Sequence, residues 1–334
     1  VLHGMPNAAI RLLADDPDRA GQLVDVSRPG RPLVARASRN PQGQVLVDIE
    51  HGLPQAPAFQ QRCRRLARSL RGLVDEQALA QAAAAGIRTL TGHDRVMVYR
   101  FDAAWNGEVL GECCAEGLEL YLGLHYPASD IPRQARQLFA QARVRVIADI
   151  DDTPSALLAE ADARSIDLGL SSLRSVSPVH IEYTRNMGVR ATLVGSLVVD
   201  GQLWGLVSCH HRSGPLAAPP AERDALGDLC DDLAAQIGTA RLQRQQRRLQ
   251  QLATRRAHLV ETIRRVDLRS LLRQPTAQDV LNVMEADGFA LVSGGAVHRL
   301  GHTPSDARIR QLVQHPLLQV PGPVRFASHA LAAD

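Results

Sequence analysis

Hydrophobic and polar positions divide the chain into stretches of different period. Residues 1–50 are mixed and turn-rich, with strand-like pieces at 32–36 and 44–49 between glycine and proline breaks. From Phe59 the period changes. Phe59, Cys63, Leu66, Leu70 and Leu73 recur at helical spacing, and residues 76–90 continue the pattern. The alanines at 82–85 favour helix, and Gly92 is placed to stop it. Arg95–Phe101 (RVMVYRF) then reads as a strand rich in β-branched and aromatic residues, with 109–113 as its neighbour. Residues 193–199 and 202–208 flank Asp200-Gly201, a pair suited to a type I′ hairpin turn, which needs positive φ at both positions. These pieces predict an antiparallel sheet with helices laid against it.

Residues 221–265 read as one long helix. Leu226, Leu229, Leu233, Ile237 and Ala240 follow one another at spacings of 3, 4, 4 and 3, and Leu249, Leu252, Leu259 and Ile263 resume the stripe. Such a stripe seeks another helix, as a domain connector or across a homodimer, with packing on a neighbouring domain as the plainer alternative. Arg241, Arg244, Arg247 and Arg248 on the opposite face read as a solvated surface. From Gln278 a further small domain begins: a helix through Val280, Leu281 and Met284, a strand near 289–292 and a Gly294-Gly295 turn. So few elements precede Asp334 that this domain is expected to be truncated.

Composition narrows the function. The 334 residues allow two or three domains, at 45% hydrophobic and 22% charged. No apolar run approaches the roughly 18 residues of a membrane span, and residues 1–5 lack a signal peptide's layout, so a cytoplasmic protein is expected. The formal net charge of +3 argues against a dedicated nucleic-acid binder. Cys63, Cys113, Cys114, Cys209 and Cys230 include no Cys-x-x-Cys pair, so neither a disulfide framework nor a zinc site follows from them. The chain contains no lysine; all 38 basic residues are arginine. That excludes a Walker phosphate loop, a protein-kinase strand lysine and any lysine Schiff base.

Three segments concentrate polar and aromatic residues. In Tyr126-Pro-Ala-Ser-Asp130-Ile-Pro132 the prolines hold Ser129 and Asp130 out of regular structure, although either residue would also serve as a helix cap. In the second, Arg174 to Gly188, Pro178 fits a first helical position with Ser177 as its cap, and His180 and Tyr183 share a face. The third, 201–211, ends in His210-His211, whose side chains point to opposite faces of a strand and cannot easily share a metal ion. No Gly-x-Ser-x-Gly elbow and no Gly-x-Gly-x-x-Gly loop occurs. Spacing alone supports an α+β ligand-binding domain with a long helix.

Taken together the segments resemble the chromophore-binding GAF domain of phytochromes. Tyr-Pro-Ala-Ser-Asp-Ile-Pro at 126–132, Leu-Arg-Ser-Val-Ser-Pro-x-His at 173–180, Asn-Met-Gly-Val at 186–189 and Gln-Leu-Trp-Gly-Leu-x-x-Cys-His-His at 202–211 fall in that family's order. Residues 1–57 resemble part of a PAS domain, with Asn7-Ala8-Ala9 matching its early helix, and 284–301 resembles the start of a PHY domain. The implied fold is α+β: tandem PAS-like (1–57) and GAF-like (58–220) domains, antiparallel sheets flanked by helices. A long helix (221–265) joins them to a truncated PHY domain (266–334).

The resemblance implies a bacterial phytochrome photosensory module, not an enzyme, holding the linear tetrapyrrole biliverdin in its GAF pocket. Asp130 would aim its carbonyl at the nitrogens of three rings and its carboxylate near the fourth. His180 would lie against the inner rings, Arg145 and Arg174 would grip one propionate, and His210 would partner the fourth ring's carbonyl. Tyr99, Tyr126 and Tyr183 would wall that ring, Ile131 would pack on the ring system, and Ser177, Thr192 and Ser196 complete the binding set. Light would isomerise the bridge to the fourth ring and signal to an output domain, with a homodimer and possible response regulator as partners. A light-insensitive GAF-type ligand or haem sensor, with His180 or His210 as axial ligand, is the alternative.

The chain departs from the family pattern in places. Val179 stands where plant-type phytochromes attach bilin through Cys, and the Cys of biliverdin-binding members lies upstream of the PAS domain. These 334 residues alone are therefore expected to hold pigment non-covalently. Thr192 and Val194 replace two serines on the second propionate, and Phe139 replaces a tyrosine, so donors are lost. Ideal pairing across Asp200-Gly201 would also put Thr192 and His210 on opposite faces, and only a bulge or strand end would reconcile them with one ligand.

Overall fold

The computed structural model describes residues 21–158, 166–266 and 268–315, so the expected helix at 7–9 lies outside the described residues. It separates into two compact units, Val1–Gln243 and Arg244–Asp334.

In the first unit, β1 (Leu23–Asp25), β2 (Leu33–Arg39) and β3 (Val45–His51) form a three-stranded antiparallel sheet in that order. Alternation divides its faces. Ala35 and Ala37 oppose Ile49 and Val47 and build a small core with Val26 and Leu33, whereas Arg36 opposes Asp48 on the other face. That charged face meets the rest of the unit: Arg36 Nη2 lies 2.7 Å from Asp224, and Glu50 pairs with Arg223.

The helical stretch after Phe59 is two helices, α1 (Pro57–Leu70) and α2 (Glu76–Thr91). Gly72, at φ +91°, and Asp75 make the break; the Asp75 side chain accepts the Ala78 N–H at 2.8 Å as an N-cap. Gly92 ends α2 as expected, in the left-handed region with φ 71°.

Six strands make the main sheet: β4 (Arg95–Phe101), β5 (Gly107–Cys114), β6 (His125–Tyr126), β7 (Val144–Ile147), β8 (Ala191–Val199) and β9 (Gln202–His211). Their order is β6-β5-β4-β9-β8-β7 and every pair is antiparallel. Two short helices, α3 (Arg133–Gln141) and α4 (Pro178–Asn186), lie in the connections between β6 and β8. The long helix α5 (Pro220–Val266) follows β9 and matches the predicted span to within a residue at each end.

One face of the sheet carries Val96, Val98, Leu193, Leu197, Val207 and Cys209, and it packs against α1, α2 and the first turns of α5. Leu226, Leu229, Leu233 and Ile237 are each at most 1% exposed in this core. The first half of the α5 stripe is thus consumed inside the chain and says nothing of a second copy. Glycines permit the close approach. A Cβ on Gly111 would stand 2.4 Å from the Ala80 carbonyl carbon of α2, and one on Gly195 would stand 2.4 Å from the Cys230 Sγ of α5.

Asp200 and Gly201, at φ 51° and 75°, make the predicted hairpin turn. Beyond it, Val198 pairs with Leu203 but Leu197 pairs with Gly205, so Trp204 is an extra residue in β9. This bulge shifts all later pairs by one and sets Thr192 directly opposite His210. The expected conflict of faces is removed.

The second unit contains α6 (Leu268–Leu271), α7 (Gln278–Met284), the antiparallel hairpin β10 (Gly288–Ser293) and β11 (Ala296–Gly301), and α8 (Asp306–Val313). Leu271, Leu272, Val280 and Leu259 form its core. Met284, expected on the apolar face of α7, is 56% exposed, because it ends the helix where Glu285 turns left-handed at φ 50°. Among the described residues no helix is long and apolar enough to cross a membrane.

Candidate functional site

The second face of the main sheet is built differently. Met97, Tyr99, Phe101, Val109, Leu203 and Leu206 form an apolar floor, with Tyr121, Tyr126, Ile131, Phe139 and Val194 partly buried against it. Instead of long helices, loops and the short helices α3 and α4 border this face. Register places the polar groups: His210 lies between Thr192 of β8 and Arg95 of β4, and Arg145 of β7 pairs with Val194.

The 126–132 segment is held from both sides. Asn106 Oδ1 accepts the Ala128 N–H at 3.3 Å, while Arg136 Nη1 donates to the carbonyls of Ala128 (3.1 Å) and Ile131 (2.6 Å). Neither Ser129 nor Asp130 caps a helix; α3 starts after Pro132, which has no side-chain donor or acceptor to offer. The Asp130 carboxylate stays exposed, and its charge reaches the hydroxyls of Tyr99 and Tyr183. Burial first, and then Asp130, pushes the Tyr99 hydroxyl up to about 12 and raises that of Tyr183. The Tyr126 ring lies 6.1 Å from that of Tyr99 at a tilt of 44°. The structure therefore gathers Tyr99, Tyr126, Asp130, Ile131 and Tyr183.

Ser177 is the N-cap residue of α4 and Pro178 occupies its first turn, but the Ser177 hydroxyl makes no capping hydrogen bond, contrary to expectation. His180 has accessible surface, yet surrounding protein lowers its pKa by desolvation. His210 is pushed down to about 4, by burial first and then by the charges of Arg95, His93 and His180. It is neutral at pH 7, and its Nε2 lies 3.1 Å from the Ser208 hydroxyl. His211 turns away, with Nδ1 3.1 Å from Asp94 and its ring edge-on to His93 at 6.1 Å. The two adjacent histidines diverge as strand geometry requires.

Arg145 and Arg174 lie within electrostatic reach of one another, and among the described residues no carboxylate is hydrogen-bonded to either. Arg145 Nη1 donates to the Ser171 carbonyl at 2.9 Å and Nη2 to that of Gly169. The Nε atoms of both arginines are buried without a hydrogen-bond partner. Burial, then the charge of Arg174, lowers Arg145 to about 10, and burial lowers Arg174 as well. Both retain their charge at pH 7. Thr192 is buried beside His210, and the buried Ser196 commits its hydroxyl to the Ala142 carbonyl at 2.9 Å.

Sequence reasoning missed two supporting groups. Arg95 and Glu112 form an ion pair at 2.7 Å with side chains 6% and 0% exposed, and Glu112 Oε2 also accepts the N–H groups of Tyr121 and Leu122. The second group is Asp48 of β3, which binds Ser171 and Ser172 more than a hundred residues away. Local patterning carries no signal of that contact, since Asp48 alternates with Val47 and Ile49 like any solvated strand position.

The family model of the GAF domain matches residues 75–240, and that of the phytochrome region matches 249–334. A bacteriophytochrome of Xanthomonas campestris pv. campestris is 44% identical over 253 residues, covering 74% of this chain and 40% of the relative. One from Pseudomonas aeruginosa is 53% identical over 137 residues, 40% of this chain and 19% of the relative. Among solved structures, the Stigmatella aurantiaca phytochrome photosensory core module aligns at TM-score 0.76 and 33% identity, over 92% of this chain and 63% of that one. The chromophore-binding domain of the Stigmatella aurantiaca bacteriophytochrome in the Pr state aligns at TM-score 0.60 and 39% identity, over 67% and 75%. The chain spans about two fifths of the length of the Xanthomonas relative.

Proposed function

The chain belongs to the phytochrome family, and we propose that it is the red/far-red light-sensing part of a bacterial phytochrome, with biliverdin as its linear tetrapyrrole. The observation that carries this reading is the paired guanidiniums of Arg145 and Arg174, buried at Nε and, among the described residues, not hydrogen-bonded to a carboxylate. A planar fork in that state suits a propionate. The rest of the site suits a cationic ring system: Asp130 offers the carboxylate, His180 and His210 are held toward their neutral forms and repel nothing, and the floor is apolar.

When bound, a bilin supplies the absorbing conjugated system and a double bond that light can isomerise. The residues of this chain bind and orient it. Arg145 and Arg174 would hold one propionate, Thr192 would serve the second, and Ile131 would pack on the rings. Asp130 and His180 would face the pyrrole nitrogens, with Ser177 and Ser196 at the edge of the set. His210 would meet the last ring's carbonyl, and Tyr99, Tyr126 and Tyr183 would enclose that ring. Val194 and Phe139 sit in the apolar floor and donate no hydrogen bond, so the second propionate is held more weakly than the first.

We assign residues 1–57 to a PAS domain, 58–220 to the GAF domain with its leading helix, 221–265 to the connecting helix and 266–334 to a PHY domain. The module senses rather than catalyses; an output domain, a response regulator and a homodimeric state belong to the whole protein. Mixing the purified protein with biliverdin tests the reading. The expected result is a strong red band that red and far-red light interconvert reversibly with a second band. A spectrum identical to free pigment, or one indifferent to light, would sink it.

A further inference from the structure

The segment that delivers Arg174 has no regular structure from 166 to 177, so something else must fix it. Asp48 does so from the small sheet. The Ser171 hydroxyl donates to Asp48 Oδ1 at 2.5 Å. Asp48 Oδ2 accepts the Ser172 N–H at 2.7 Å and the Ser172 hydroxyl at 2.9 Å. Glu50, two residues on and on the same face of β3, is an alternative acceptor for that one hydroxyl proton, with Oε1 3.1 Å from the Ser172 oxygen. The carbonyl of Ser171, between these anchors, is the one that Arg145 Nη1 grips, and Arg174 lies two residues beyond Ser172. Both guanidiniums are thus referenced to one backbone segment, and one carboxylate from another sheet holds that segment with charge-assisted bonds.

We propose that Asp48 is a positioning residue for the Arg145–Arg174 anion grip, setting the bilin-propionate affinity of a site it does not line. The proposal rests on the bilin reading above. Loss of the carboxylate removes three bonds that hold Ser171 and Ser172, leaving only Glu50 and the Arg145 grip on them, and loosens the common reference of the two arginines. The cost falls on whatever the arginines hold and not on the apolar floor or His210, which the main sheet carries. Asp48 also carries the negative charge that partly offsets the crowding of the two cations, so its removal does not simply improve the site for anions.

The test is a cycle between protein and pigment. Binding of biliverdin and of biliverdin dimethyl ester, which lacks the propionate charges, is titrated with wild type, Asp48→Ala, Asp48→Asn, Arg174→Ala and Asp48→Ala/Arg174→Ala. Asp48→Ala should weaken biliverdin about tenfold and the ester by no more than about twofold. Asp48→Asn, which keeps one carbonyl acceptor, should fall between and serves if the alanine variant does not fold. In the Arg174→Ala background the Asp48 effect should shrink to about twofold. Equal losses for acid and ester, an unchanged affinity in both Asp48 variants, or an undiminished Asp48 effect without Arg174 would each overturn the proposal. Wild-type protein that binds neither pigment would instead remove the bilin reading beneath it.

Discussion

His93 gives the clearest link between this structure and a pH-dependent measurement. It sits just before β4, is 3% exposed, and neither ring nitrogen completes a hydrogen bond. Burial first, then the charge of neighbouring His211, brings its pKa down to about 4; Asp94 and the nearby Thr91 carbonyl pull weakly upward. His210 also lies within electrostatic reach. In the unfolded chain the imidazole titrates at its ordinary 6.5. Between 6.5 and 4 the unfolded state therefore binds the proton and the native state does not, so stability falls as pH falls through that window. Above 6.5 neither state is protonated and the residue contributes no pH dependence. Each pH unit inside the window costs up to about 1.4 kcal/mol, so from pH 7 to pH 5 His93 removes about 2 kcal/mol. His93→Leu, close in volume, abolishes that share and relieves the unpartnered nitrogens, worth about 1 kcal/mol or more at pH 7. Urea denaturation at pH 7, 6 and 5 checks this. The variant should start more stable, and its advantage should widen by about 2 kcal/mol at pH 5. Parallel curves for wild type and variant would refute the assignment of a buried neutral imidazole.

Two further variants probe the scaffold. Glu112→Ala removes the carboxylate paired with the Arg95 guanidinium, 6% exposed, and leaves the N–H groups of Tyr121 and Leu122 without their acceptor. It should cost about 3–5 kcal/mol in urea titration, and a loss under about 1 kcal/mol would show the pair to be solvated. Gly195→Ala drives a methyl group to 2.4 Å from the Cys230 Sγ and should cost about 1–3 kcal/mol. Adding Cys230→Ala should restore most of that, and thermal unfolding of a double variant no better than the sum of the single ones would deny the contact.

Where the fold was legible, short-range physics decides the structure. Arg95–Phe101 was expected as a strand with the bounds observed, Gly92 stopped its helix, and Asp200-Gly201 turned the hairpin. Legibility failed where one residue changes a count. Nothing in Leu203-Trp204-Gly205 announces that Trp204 bulges, yet that residue puts His210 opposite Thr192. The break between α1 and α2 was readable in principle from Gly72 and Asp75, but the apolar stripe runs on through Leu73 and masks it. The α5 stripe was read as a connector or dimer seam, with packing inside the chain as the plainer alternative; the sheet and α1–α2 use Leu226 to Ile237, while Leu249 is 58% exposed.

The site itself was legible only as far as motifs named its residues, because its chemistry comes from groups the fold leaves incomplete. Two guanidiniums in a partly desolvated place repel one another, and the charge of Arg174 lowers the pKa of Arg145 after burial. Carbonyl dipoles from Gly169 and Ser171 and the charge of Asp48 offset part of that, and an arriving carboxylate would offset more. The opposite condition holds around Asp130, where an accessible carboxylate favours the neutral forms of two tyrosines, Tyr99 and Tyr183. A ligand positive at its centre and negative at its side chains relieves both conditions together, whereas a neutral ligand relieves neither. On the bilin reading, the buried Nε atoms of Arg145 and Arg174 and the exposed carboxylate of Asp130 would thus set the selectivity of the site.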